Sequence, residues 1–166
     1  RRLYVLGLLY VVVSLDAHAT WLSFDIQNED GQSLPCRIHL FDPDGKPQRA
    51  AGLPFWRDHF VCPGAAGLEL PAGRYRYEIE RGPEHERLTG EVAISDQSPK
   101  LVRLSLKRIA NLRGEGWYSA DLHIHRPLSQ VDLLMQAEDL DFAPVITWWN
   151  RRNQWEPHKH PQAGED

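Results

Sequence analysis

Strict alternation of polar and apolar residues is the feature that most constrains the fold of this chain. Between residues 74 and 81, Tyr75, Tyr77 and Ile79 alternate with charged residues and would share one buried face of a strand. Similar short runs recur up to residue 108, separated by turn sequences such as Asp42-Pro43-Asp44-Gly45. The pattern predicts an all-β sandwich domain with strands at residues 21–27, 36–41, 59–62, 67–70, 74–81, 88–94 and 100–107.

The composition is that of a globular protein. The chain has 166 residues, of which 42% are hydrophobic and 25% charged, so one or two domains are expected. Its formal net charge is -4, and both signs are scattered along the sequence. Because no block of lysine or arginine is present, nucleic acid is not expected as a partner.

Residues 1–19 have the composition of a secretory signal peptide. Arg1 and Arg2 precede an apolar stretch at residues 3–15, and Ala17-His18-Ala19 has the form of a cleavage site. The stretch is shorter than the roughly 20 residues that span a bilayer, so an uncleaved anchor is the lesser alternative. We expect an exported protein without a stable membrane span after cleavage, and a chain that begins within its leader.

A candidate metal motif lies at Asp121-Leu122-His123-Ile124-His125. Residues two apart in a strand share a face, so a strand over residues 116–125 would project Asp121, His123 and His125 together. Two neutral imidazoles and a carboxylate are ligands for a divalent cation, which would be Zn, Mn or Fe. The alternative is a hydrogen-bonded histidine pair with a structural role.

The sequence after this motif predicts a β-α-β unit. Ser129 could cap a helix over residues 130–141, with Asp132 as its capping-box partner. The apolar run at residues 142–149 then suits a buried parallel strand. A domain boundary is expected near residues 109–115, which divides the chain into a sandwich at residues 20–109 and a second domain at residues 110–166.

Residues 117–150 resemble the opening of the polymerase-and-histidinol-phosphatase (PHP) type of metallohydrolase, in its exported, carbamate-hydrolase-like branch. The resemblance rests on the D-L-H-x-H motif of residues 121–125. It implies the start of an α/β barrel whose metal centre activates water to cleave a phosphoester, ester, amide or carbamate bond of a small-molecule substrate. It also implies that His123 and His125 are metal ligands and that Asp121 is a ligand or an orienting carboxylate.

One departure from the family pattern concerns the second strand. Relatives carry a T-D-H-N-like motif there, whereas this chain has Thr147-Trp148-Trp149-Asn150, and indoles cannot bind a metal. The centre would hold fewer metals, recruit ligands elsewhere, or have lost catalysis. Trp148, Trp149 and Asn150 could contact a substrate, or the tryptophans could be core residues. A non-catalytic exported binding or structural protein is therefore the alternative function.

The sandwich resembles the carboxypeptidase-regulatory-like, transthyretin-like domains through Gly45-Lys46-Pro47 and the turn at residues 70–75. That resemblance implies a non-catalytic scaffold or binding module. Cys36 and Cys62 could form a disulfide in an exported chain or remain two buried thiols. The histidines of this region, His39, His59 and His85, share no spacing and are interpreted as ordinary strand or surface residues.

The carboxyl-terminal residues read as a polar loop. His158 and His160 repeat the spacing of the metal motif and could bind a ligand or substrate, although a solvated surface is the alternative. A closed barrel needs on the order of 200 residues. Only 50 residues follow Gly116. We therefore expect the chain to be the amino-terminal part of a longer protein and to have little activity alone.

Overall fold

The first eight strands form two facing β-sheets. The computed structural model describes residues 19–95, 98–146, 148–149 and 152–153. The strands are β1 (Thr20–Gln27), β2 (Cys36–Phe41), β3 (Phe55–Trp56), β4 (His59–Cys62), β5 (Ala65–Leu70), β6 (Gly73–Glu80), β7 (Leu88–Ile94) and β8 (Lys100–Ser105). The predicted β-sandwich is confirmed, and the bounds of its predicted strands agree within two residues. The two-residue β3 is too short to leave a periodic signal and was missed.

Each sheet has its own strand order. The smaller sheet runs β5-β1-β8, and its central strand β1 is antiparallel to β5 and parallel to β8. The larger sheet runs β3-β4-β2-β6-β7 and is antiparallel throughout. Cys36, Ile38 and Leu40 of β2 are fully buried, whereas the residues between them are half-buried. β2 therefore presents one face to the core and another to the outside of the sandwich.

Alternate residues from both sheets make one hydrophobic core. Tyr75 and Ile79 of β6 are buried as predicted, and Tyr77 is half-buried with its ring edge-on to Phe24, 5.9 Å between centroids. Each large apolar side chain buried in this way stabilises the fold by about 1.5–3 kcal/mol. The fully buried members are Leu22, Phe24, Ile26, Cys36, Ile38, Leu40, Phe60, Cys62, Ile79 and Leu106.

The segment that carries the predicted metal motif does not form the expected buried strand. Residues 117–146 contain two isolated parallel bridges, Ala120 with Phe142 and Ile124 with Val145. Trp117 and Leu122 are 68% and 74% exposed, because no neighbouring element in the described residues covers them. The expected start of an α/β barrel is therefore not formed by the part of the chain that the structure describes. Beyond this segment, β9 (Trp148–Trp149) pairs with β10 (Arg152–Asn153).

Helix α1 (Leu128–Glu138) lies in the connection between the two stretches of chain that the bridges join. It begins earlier than predicted and follows Pro127, whose ring fixes a φ suited to a helix start, so the predicted Ser129 cap is wrong. The helix contacts β2 and β4, and its Ala137 is fully buried. Among the described residues, no helix has the length and apolar character needed to cross a membrane.

The end of α1 is fixed to the sandwich by a largely buried carboxylate. Asp139 adopts a left-handed conformation (φ 56°) and binds Arg81 at 2.8 Å and Arg108 at 2.7 Å. Gly82 lies against the same helix end with a φ of +46°, and a Cβ at this position would be 2.5 Å from the Glu138 carbonyl oxygen. The close approach and the positive φ both require glycine here.

Replacement of Asp139 tests this attachment. Asparagine tolerates the left-handed backbone but removes the charge, so Asp139→Asn should leave two arginines without their shared partner. We expect the free energy of unfolding to fall by about 2–3 kcal/mol, measured by urea denaturation. The matched control is Glu91→Gln, which breaks the exposed ion pair with Arg74 and should cost less than about 1 kcal/mol. Equal losses in the two variants would contradict a special role for Asp139.

The same region makes the fold sensitive to acid. Burial lowers the pKa of His85, and the positive charges of Arg108 and Arg81 lower it further, whereas Asp139 opposes them. Burial raises the pKa of Asp139, but Arg81 and Arg108 outweigh it and hold that pKa below its usual value. Both groups bind protons more readily in the unfolded chain. The stability that they contribute is therefore present at neutral pH and is lost as the pH falls.

The His85 contribution should be lost below about pH 6.5, the unperturbed value, at up to about 1.4 kcal/mol per pH unit. The Asp139 contribution should follow at more acidic pH. Urea unfolding between pH 7 and pH 5 measures the first effect, and His85→Gln should reduce the slope in that window. An unchanged slope in His85→Gln would contradict this assignment.

Candidate functional site

The predicted metal motif brings two of its three residues together. The Nε2 atoms of His123 and His125 are 3.0 Å apart, and their ring planes are inclined by 79°. Both residues are exposed. The Asp121 carboxylate instead accepts a hydrogen bond from the backbone N–H of His123 at 3.0 Å. In the described residues, Asp121 does not join both imidazoles in a group of ligand atoms within 4.8 Å of one another.

The predicted substrate-contacting residues lie mostly outside the described structure. Trp148 and Trp149 form β9, so the structure describes the path of their backbone. The positions of Asn150, His158 and His160 fall outside the described residues, as does the predicted signal peptide up to residue 18. Their predicted roles stay predictions.

A second group of polar side chains lies on the outer face of the larger sheet, and the sequence analysis missed it. His39 of β2 is directly opposite His59 of β4, and their ring centroids are 4.9 Å apart. The two-residue turn between β3 and β4 adds Asp58, and β6 adds Glu80. We call His39, Asp58, His59 and Glu80 the sheet-face cluster.

Short polar contacts connect the members of the sheet-face cluster. The two carboxylate oxygens of Asp58 lie 3.0 Å from Nδ1 of His59 and 3.5 Å from Nδ1 of His39. The other ring nitrogen of His39, Nε2, is 3.1 Å from Oε1 of Glu80. Glu80 also pairs with Arg37 and Arg87, both at 2.9 Å. Each ring nitrogen of His39 is thus directed to a different carboxylate.

Burial and neighbouring charges determine the protonation of this cluster. Burial lowers the pKa of His59, and His39 and Arg37 lower it further, against the opposing hydrogen bond to Asp58. The hydrogen bond from His59 is the main cause that lowers the pKa of Asp58. Near neutral pH, Asp58 is therefore ionised and His59 neutral, with a nitrogen lone pair available to a ligand.

Glu138 of α1 connects the sheet-face cluster to the segment of the predicted motif. Its carboxylate lies 3.2 Å from Nε of Arg37. Burial is the largest cause that raises the pKa of Glu138, and the negative charges of Glu80 and Asp121 add to it while Arg37 opposes it. Glu138 thus experiences charges from both groups of candidate ligands.

The two cysteines lie on the inner face of the same strand pair. Cys36 and Cys62 are directly opposite each other, fully buried, with their sulfur atoms 3.6 Å apart. The neighbouring Cys62 sulfur and burial together raise the pKa of Cys36. The Cys36 thiol is therefore a poor nucleophile, whereas the hydrogen bond with Cys36 lowers the pKa of Cys62.

Neither a family model nor a curated protein matches this chain. Solved structures with a partly similar fold include the minor pilin GBS52 of Streptococcus agalactiae, with a TM-score of 0.45 and 16% identity over 57% of this chain and 46% of that one. A streptococcal ancillary pilin gives 0.42 and 15% over 56% and 33%, and the Bacillus anthracis TIE protein gives 0.42 and 13% over 55% and 17%. This chain therefore spans less than half the length of each of these proteins.

The interpretation as a metal-dependent hydrolase of the PHP type is wrong. No family model matches the chain, and the buried strand on which the resemblance depended is not formed in the described residues. No family model supports the resemblance to carboxypeptidase-regulatory-like domains either. The β-sandwich itself stands.

Proposed function

We propose that this chain is an exported, non-catalytic module with a binding or structural role. The observation that carries the proposal is the use of acidic side chains in the segment after the sandwich. Glu138 binds Arg37, Asp139 binds Arg81 and Arg108, and Asp141 binds Arg113 at 2.5 Å. The pairs of Glu138 and Asp139 attach the segment to the sandwich, and carboxylates held by arginine in this way are poor metal ligands.

Export is supported by the sequence of residues 1–19, which has the charged start, apolar centre and small-residue end of a signal peptide. The even scatter of charge supports a partner other than nucleic acid.

A divalent cation, Zn, Mn or Fe, is part of this proposal, with His123 and His125 as ligands. Ligand nitrogens around a tetrahedral zinc ion lie about 3.3 Å apart, and the 3.0 Å between the two Nε2 atoms supports such a pair. Asp121, which accepts a hydrogen bond from the backbone N–H of His123, would orient the motif. The cation would stabilise this exposed segment and would not activate water for hydrolysis.

Metal content and hydrolysis together test this proposal. We expect wild-type protein dialysed against each cation to retain more of at least one of them than the His123→Ala/His125→Ala variant, measured by elemental analysis. Hydrolysis of phosphoester, ester and amide model substrates should be equal in the two proteins. Equal metal content would contradict the ligand assignment, and hydrolysis that depends on the two histidines would contradict the non-catalytic role.

We also propose that Cys36 and Cys62 form a disulfide in the exported protein. Directly opposed residues of antiparallel strands have α-carbons about 4.5–5.5 Å apart, within the range that a disulfide spans. Oxidation removes two protons and two electrons from the thiols and passes the electrons to a disulfide oxidant of the exporting compartment. Closure of this loop would stabilise the fold by about 3 kcal/mol.

Trapping of free thiols checks the disulfide. Protein recovered from the exported fraction should resist alkylation until it is unfolded and reduced, whereas protein that lacks residues 1–19 and stays in the cytosol should react with two equivalents once unfolded. The matched control is Cys36→Ala, in which one thiol should react in either compartment. Two reactive thiols in the unfolded exported protein would contradict the proposal.

A further inference from the structure

We propose that the sheet-face cluster is a second divalent-cation site, of the zinc type, with His39, His59 and Asp58 as its protein ligands. The proposal is independent of the ligand role of His123 and His125. It starts from the register of β2 and β4, which places two imidazoles opposite each other on one face of a sheet. The spacing of these residues along the sequence does not predict that they lie together.

The separations between the ligand atoms match those of a metal site. One ligand atom each from His39, Asp58 and His59 lies within 4.8 Å of the other two. The 3.5 Å between the Asp58 carboxylate and Nδ1 of His39 is close to the spacing of about 3.3 Å expected around a tetrahedral zinc ion. Nδ1 of His59, which donates a hydrogen bond to Asp58 at 3.0 Å, would exchange its proton for the cation. Small side-chain rotations, without backbone movement, would complete the three-ligand site.

The contact with Glu80 selects one tautomer of His39. A carboxylate accepts hydrogen bonds, so the 3.1 Å contact requires Nε2 of His39 to donate its proton to Glu80. In the neutral ring, Nδ1 then directs its lone pair to the Asp58 carboxylate, 3.5 Å away. Two acceptors that face each other repel unless a cation or a proton lies between them. A carboxylate behind a histidine is also the usual means by which metal-binding imidazoles are oriented.

Solvent access and local charge define the kind of site. The Asp58 side chain is 51% exposed, while those of His39 and His59 are 13% and 14% exposed. A cation would therefore be held on its protein side by nearly buried imidazoles and would keep an open position toward solvent. Arg37, which pairs with Glu80, opposes a cation by its charge. Imidazole nitrogens bind zinc-type ions, whereas calcium and magnesium ions take oxygen ligands, so the two histidines favour a zinc-type ion at this site.

The test uses a chain that lacks the imidazoles of His123 and His125, so that zinc binding at the sheet-face cluster is measured alone. In the full chain carrying His123→Ala/His125→Ala, we measure zinc affinity by competition with a chromophoric chelator, and the shift of Tm with zinc. We expect one zinc ion per chain and a higher Tm when it is bound. Addition of Asp58→Asn or His59→Gln should weaken affinity at least 100-fold and abolish the Tm shift.

Two further variants separate ligation from general effects. Glu80→Gln retains an acceptor for His39 but loses the charge, and should weaken zinc affinity about 10-fold. Asp44→Asn changes an exposed turn carboxylate outside the cluster and should leave affinity unchanged. The proposal is overturned if the background protein binds no zinc, or if affinity is the same with and without Asp58→Asn and His59→Gln. Because Asp58 lies in an exposed turn, its variant should fold even if His59→Gln does not.

Discussion

The pairing of β2 with β4 is the constraint on which the chemically distinctive parts of this protein depend. The register sets Cys36 opposite Cys62 and His39 opposite His59. Each histidine lies three positions from its cysteine, and because that offset is odd, the two pairs point to opposite faces of the sheet. The sulfur atoms therefore join the core, while the imidazoles lie on the outer face beside Asp58 and Glu80. A single alignment of two short strands produces both arrangements.

The sequence predicted the strands of the sandwich well because their determinants are local. Alternation of apolar residues and glycine-containing turns identify a strand without reference to its partner, as at β6, where Tyr75 and Ile79 are buried. Which strand pairs with which, and in which register, depends on contacts between distant parts of the chain. For that reason the cysteines were recognised as a pair without a settled geometry, and His39 and His59 were interpreted as unrelated residues.

The prediction at residues 116–125 was wrong as a buried strand for a related reason. Leu122 and Ile124 alternate with polar residues as strand residues do, but a strand also needs neighbours that pair with it and cover it. Here the pairing is reduced to single bridges, and Leu122 remains exposed. The attachment of this segment depends on Asp139 and the two arginines it binds, which lie far from it in sequence. Such charge pairs become visible only when the fold is known.

The odd offset between the cysteine and histidine pairs has an evolutionary consequence. Insertions in the connection between β2 and β3 leave this offset intact. One residue added between Cys36 and His39 would bring both histidine and cysteine to the same side of β2 and would dissolve one of the two cross-strand pairs. Among descendants of a common ancestor, the four positions should therefore be inherited as a unit, even where the surrounding sequence has diverged beyond recognition.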